Sequence, residues 1–165
     1  MRNLTRALGA VALLLLAPAL AFSANGDTLN IGGSVPLVLT LVVTPDANAD
    51  NLVLHAPAAT PTVTIATIDV STNNTAGWEL WVFSTTGEAL GSSTLRSADD
   101  EDIAYTVTYP GGATGAAIIA GGLMLKEDPL NGSEAASALQ ITYAQAEDHD
   151  AGYYSDQLTL VLRAK

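Results

Sequence analysis

Apolar residues recur at every second position in one segment of this chain after another, and no segment beyond the N-terminal apolar run keeps a helical period. Alternation is the pattern of a half-buried strand, because successive side chains of an extended backbone point to opposite faces. The run "IAYTVTY" sets Ile103, Tyr105, Val107 and Tyr109 on one face, and "ALQITYAQ" does the same with Leu139, Ile141 and Tyr143. In "DQLTLVLRAK" the inward residues are Leu158, Leu160 and Leu162. In "TVTIATIDV" the apolar phase moves from Val63 and Ile65 to Ile68 and Val70, which predicts a bulge near Ala66-Thr67. The turn "NNTAG" leads into "WELWVFS", and "AAIIAGGLMLK" holds one or two short strands around Gly121-Gly122. "NGSEAASA", residues 131–138, reads as loop. Seven or eight short strands between turn signals predict a single all-β domain, an antiparallel sandwich.

The first residues are set aside before any argument about the fold. Arg2 and Arg6 precede the apolar stretch "ALGAVALLLLAPALA", and Ala19-Leu20-Ala21 has the small-x-small form of a cleavage site. Residues 1–21 therefore read as a signal peptide, with export to follow, and Pro18 and the short apolar core argue against a retained span. Cleavage leaves four of the six basic residues against seventeen acids, a net charge of −13. Such a surface favours solubility and repels nucleic acid and anionic membranes. The chain has no cysteine, so no disulfide, zinc–thiolate site or cysteine nucleophile is available to it.

Chemistry is sparse. His55 and His149 stand in no metal-binding spacing, and no serine sits in a G-x-S-x-G elbow. The acidic runs "DDED" (99–102) and "EDHD" (147–150) offer oxygens to Ca²⁺ but lack the spacing and glycine of an EF-hand loop. Contiguous carboxylates of this kind are ordinarily solvated loops. Trp78 and Trp81 differ by an odd number of positions, so one belongs to the core and the other to the outer face. No enzyme, cofactor or metal is expected.

The longest alternating stretch begins just after the signal. In "LNIGGSVPLVLTLVV" every odd position from Leu29 to Val43 is apolar or glycine, and Pro36 interrupts it. A proline lacks the donor that a central strand needs, so it marks a junction. The ribbon then divides into an N-terminal arm, 22–36, and a resident strand running from Leu37 to Pro45 within a domain of 37–165. An alternating arm can add to an exposed sheet edge through main-chain hydrogen bonds, with alternate side chains giving register.

Residues Gly152 to Leu162, "GYYSDQLTLVL", follow G-x-Y-x-D-x-φ-x-φ-x-φ, with φ an apolar residue. This resembles the C-terminal signature of the archaic chaperone–usher pilins and the related spore-coat-protein-U-like secreted proteins. "LNIGGSVPLVLTLVV" is similar to that family's N-terminal extension and first strand. "VTIATIDVSTNNTAGWELWVFS" is similar to its central hairpin, and "IAYTVTY" to its tyrosine-containing strand. The resemblance implies an immunoglobulin-like sandwich that lacks one strand and is completed by the extension of the next subunit. It implies donor residues Leu29, Ile31, Gly33 and Val35, with Gly33 at a shallow point of the groove, and an acceptor wall of Leu158, Leu160 and Leu162. The partners implied are further copies of the chain, head to tail, together with a periplasmic chaperone and an outer-membrane usher. The protein would then be a subunit of a cell-surface filament. The competing expectation is a monomeric secreted sandwich that binds a glycan, Ca²⁺ or a surface protein.

Overall fold

The computed structural model describes residues 31–55, 60–130, 132–144 and 149–165. The expected signal peptide, the arm up to residue 30 with Leu29, and Glu147 and Asp148 of the second acidic run lie outside the described residues. The chain divides into two compact units, Met1–Ser34 and Val35–Lys165. All elements below belong to the second.

Among the described residues, eight strands and one short helix follow in the order β1 (Leu39–Pro45), β2 (Thr62–Thr72), β3 (Trp78–Ser84), α1 (Thr85–Leu90), β4 (Thr94–Arg96), β5 (Asp102–Thr108), β6 (Leu123–Asp128), β7 (Glu134–Tyr143) and β8 (Leu158–Ala164). They form an antiparallel five-stranded sheet, β1-β2-β7-β5-β4, and an antiparallel three-stranded sheet, β6-β3-β8. The protein is all-β. The alternating residues of both sheets meet in one buried cluster, with Ile68, Val70, Val107 and Ile141 from the larger sheet and Trp78, Leu80, Val82 and Leu125 from the smaller. Fully burying a side chain of this size stabilises the fold by roughly 1.5–3 kcal/mol. Trp78 is fully buried, and its indole N–H donates to the Gly132 carbonyl at 2.9 Å. Trp81, on the opposite face, donates to Glu79 Oε2 at 2.9 Å and lies 5.1 Å under the Arg163 guanidinium.

The bulge expected near Ala66-Thr67 is present: the register of β2 on β7 shifts between Thr64 and Ala66, with Ile65 the extra residue. Two details differ from the sequence reading. Segment 131–138 is not all loop, because β7 begins at Glu134. Lys126 reaches Glu134 at 2.9 Å, Ser137 donates to the same carboxylate at 2.5 Å, and Asp69 accepts the Ala136 N–H at 2.9 Å. These side-chain bonds hold an irregular strand start, with Ala136 at φ 51°, that local propensity does not announce. Helix α1 and strand β4 were also unexpected. Ser84 caps α1 by accepting the Gly87 N–H at 2.8 Å, and Gly91 ends it at φ 82°. Six residues are too few to display a helical period.

On one side the two sheets are closed by the segment between β5 and β6. Ala116 exchanges backbone hydrogen bonds with Val107 of β5, while Ala113 donates to Leu125 of β6 at 2.7 Å. Ile118 is carried into the core, and Ser93 Oγ accepts its N–H at 3.1 Å and donates to the Tyr105 carbonyl at 2.8 Å. Gly112 permits this approach. A Cβ there would stand 1.9 Å from the Leu125 carbonyl oxygen.

Candidate functional site

The other side has no such closure. Strand β1 pairs only with β2, and β8 only with β3, so among the described residues each presents one long edge without a strand partner. The two edges lie beside each other with no ladder between them. A row of free N–H and C=O groups is a template for another strand.

A cleft of about 240 Å³ opens between them. Leu158 and Leu160 of β8 form one wall, Val43 and Pro45 of β1 the other, and Ile65, Ala66, Leu139 and Ile141 line it from β2 and β7. Leu95, Tyr105, Ala49, Asp50, Leu52 and Asp156 complete the lining. An apolar cavity of about 150 Å³ holds a benzene molecule, so this one has room for more than a single aliphatic side chain. Leu158 and Leu160 are only half-buried although they face inward, opposite Ser84 and Val82. The part of each that stays exposed is apolar area that a visiting side chain can remove from water.

Why does β8 hold this position without a second neighbour? Asp156, just before the strand, is anchored from three directions. Its carboxylate accepts from Ser84 Oγ at 2.5 Å, from Tyr105 Oη at 2.6 Å and from the Thr86 N–H at 3.1 Å. One side chain thus ties the start of β8 to the end of β3, the start of α1 and β5. Burial, and then the neighbouring Asp156 carboxylate, raise the Tyr105 phenol above its usual pKa, so it remains a donor. Tyr154 adds a second tie, donating to Glu101 Oε2 at 2.5 Å and lying 2.9 Å from the Asp150 carbonyl. The hydrogen bond to Glu101 is the main reason the Tyr154 phenol is pushed up to about 12. The same bond leads the causes that lower Glu101 below the usual carboxylate range. The tyrosine and aspartate of "GYYSD" are therefore structural, fixing where the leucine edge begins.

Of the residues singled out in the sequence, Leu158 and Leu160 line the cleft. Leu162 lies on the same face opposite Leu80, half-buried against the core, and does not line it. Ile31 is 89% exposed and Val35 85% exposed. At Gly33 a Cβ would have nothing within 4 Å. Sequence reading missed Pro45, Ile65 and Leu52 as lining residues. The bulge hides Ile65, since it breaks the alternation that would assign a face, and no period marks Leu52, which lies outside any strand.

Among the described residues no three His, Asp or Glu side chains gather as a metal site. No helix among them is long and apolar enough to cross a membrane. A scan against protein-family models gives no match, and a search of curated proteins gives none either.

Proposed function

We propose that this protein is the structural subunit of an extracellular filament, assembled when the N-terminal segment of one copy enters the β1–β8 cleft of the next. The observation that carries this reading is the open seam: two unpaired strand edges flank an apolar cleft whose leucine wall is partly exposed. An alternating segment with Leu29, Ile31 and Val35 on one face has the period such a cleft can accept. Burying three side chains of that size contributes roughly 1.5–3 kcal/mol each before the entropy of ordering the segment is charged. Head-to-tail contacts of this kind do not close on themselves and so propagate.

The reading includes an immunoglobulin-like sandwich short of one strand, exported behind a cleaved signal peptide. The strand order supports it, as do the buried Trp78 on β3 and the Tyr154 hydroxyl lying 2.9 Å from a carbonyl four residues upstream. The partners in this reading are other copies of the chain, with a chaperone and usher as candidate assembly factors. The alternative, a monomeric binding module, would use an outward aromatic. Trp81 is half-buried, with its indole N–H committed to Glu79 and its ring covered by Arg163, which leaves that alternative Tyr153, 72% exposed.

The test compares the exported chain with a version lacking residues 22–35, sized by light scattering. The full chain should give ladders or filaments, and the shortened one monomers that bind an added peptide of residues 27–36. Replacing Gly33 with a bulky residue should weaken assembly. A full chain that stays monomeric at high concentration sinks the proposal.

A further inference from the structure

Strand donation raises a question of direction, because an arm joined directly to β1 lies close to its own groove in sequence. Length does not prevent self-insertion. Residues 29–35, extended, span roughly 23 Å, comparable with the seven residues of β1. Residues 36–38 would then form a three-residue hairpin loop, and proline is favoured early in such turns. A chain free to turn there would fill its own cleft, since no second molecule has to be found.

The segment is not free to turn. Strand β2 bends away into the 73–77 turn just where the ladder with β1 would continue, and the side chain of Asn73 takes over as a substitute peptide group. Its Oδ1 accepts the Val38 N–H at 2.7 Å, and its Nδ2 donates to the Pro36 carbonyl at 2.8 Å. The Val38 carbonyl accepts from the Asn73 N–H at 3.2 Å and from Thr72 Oγ1 at 3.0 Å. Residues 36–38 are thereby held as a continuation of β1, whose first ladder pair is Leu39 with Thr72.

We infer that Asn73 is a direction-setting residue: by pinning Pro36 and Val38 in line with β1, its amide denies the arm a turn into its own groove and leaves it for a second copy. This rests on the strand-donation reading and adds to it the residue that decides between self-completion and assembly. Of the four hydrogen bonds that hold residues 36–38, the two made by the Asn73 side chain are lost when it is removed, which should raise the self-inserted fraction roughly tenfold.

The absence of cysteine makes the test direct, because any thiol crosslink reports only introduced residues. Ile31→Cys and Leu160→Cys, one in the arm and one on the groove wall, are placed together in the full exported chain. The chain is treated with a short thiol-to-thiol crosslinker and run on a denaturing gel. With Asn73 intact, the expected products are intermolecular ladders. With Asn73→Ala added, the share of monomer whose two cysteines are linked within one chain should rise roughly tenfold, identified by mass spectrometry of the joined peptides. Ladders of equal yield in both backgrounds overturn the role of Asn73 while leaving strand donation standing. Intramolecular links in both backgrounds overturn both. Intramolecular links with Asn73→Ala and no crosslink with Asn73 intact uphold the role and sink donation. An Asn73→Ala chain with no crosslink overturns the role, provided its thermal unfolding stays cooperative. Asn73→Asp retains the acceptor for Val38 and loses the donor to Pro36; it serves as the second variant and should give an intermediate ratio.

Discussion

The two sides on which the sheets meet are built from the same apolar residue types and end in opposite states. On the β5–β6 side a connecting segment hydrogen-bonds to both sheets and carries Ile118 into the core, and Ile118 and Leu125 there are fully buried. On the β1–β8 side the stretch carrying Asp50 and Leu52 lines the cleft without pairing to either edge, and Leu39, Leu41, Leu158, Leu160 and Leu162 all stop at half-burial. The difference does not come from hydrophobicity, since leucines serve on both sides. It comes from backbone supply: one side has a loop to spend on closing the gap, and the other has two strand edges with unused hydrogen-bonding groups. An interior is finished only when both the side chains and the main chain are satisfied.

That contrast can be broken most forcefully at Gly112. Gly112→Val should cost several kcal/mol, on the order of 3–5, because its Cβ cannot occupy a position 1.9 Å from the Leu125 oxygen without moving backbone. Chemical denaturation should show a lost or greatly weakened transition. If Gly112→Val unfolds like the parent, the closed side is softer than its contacts imply. An effect of comparable size and opposite sign belongs to the open side. A peptide of residues 27–36 added to the shortened chain at about a hundred times its Kd should stabilise the fold by about 2.7 kcal/mol. For a domain of this size that is a rise of roughly 8–10 °C in Tm. No rise means that the seam is not a strand acceptor.

Matched truncations sharpen the comparison. Leu125→Ala, fully buried on the closed side, should cost about 3 kcal/mol. Leu160→Ala, only partly exposed in the cleft, should cost less, about 2 kcal/mol in the shortened chain, because some of its area is already in water. Peptide binding should reverse the ranking. Leu160→Ala should weaken the 27–36 peptide about tenfold, the affinity equivalent of 1.4 kcal/mol, whereas Leu125→Ala should leave binding by the folded fraction unchanged. Equal losses of affinity in the two variants would erase the distinction between the sides.

Much of the fold was legible because alternation reports faces. Trp78–Ser84 came out with its expected bounds, Ile103, Tyr105, Val107 and Tyr109 are all buried, and Trp78 and Trp81 point opposite ways. What was not legible depends on partners distant in sequence. The entry into β7 is held by Lys126 and Asp69, and α1 is fixed by the Ser84 cap rather than by a periodic face. The cleft was half legible. Leu158 and Leu160 follow from period two, but the opposite wall and floor depend on which strands lie side by side, and alternation does not encode strand order. Asn73 carried no signal at all, since an asparagine in "NNTAG" reads only as a turn residue.

The smallest effect concerns how β8 is set at the edge of the seam. Tyr154 is held neutral up to about 12, mainly by its bond to Glu101, against an ordinary value of 10.0. Its contribution is therefore complete below pH 10 and fades as pH rises towards 12. Glu101 is shifted downward from 4.5, first by the same bond, so its contribution is present above that pH and fades as pH falls further. Glu101 is partly exposed and solvent screens the pair, which keeps both limbs shallow. Tyr154→Phe removes the hydroxyl and should flatten both limbs of the stability–pH profile, measured by denaturant midpoints across the range. Because Tyr154 positions β8 without lining the main β1–β8 cleft, the variant should bind the 27–36 peptide more weakly but with the same dependence on Leu160. If peptide affinity stays at the parent value, the edge of β8 is set by Asp156 alone.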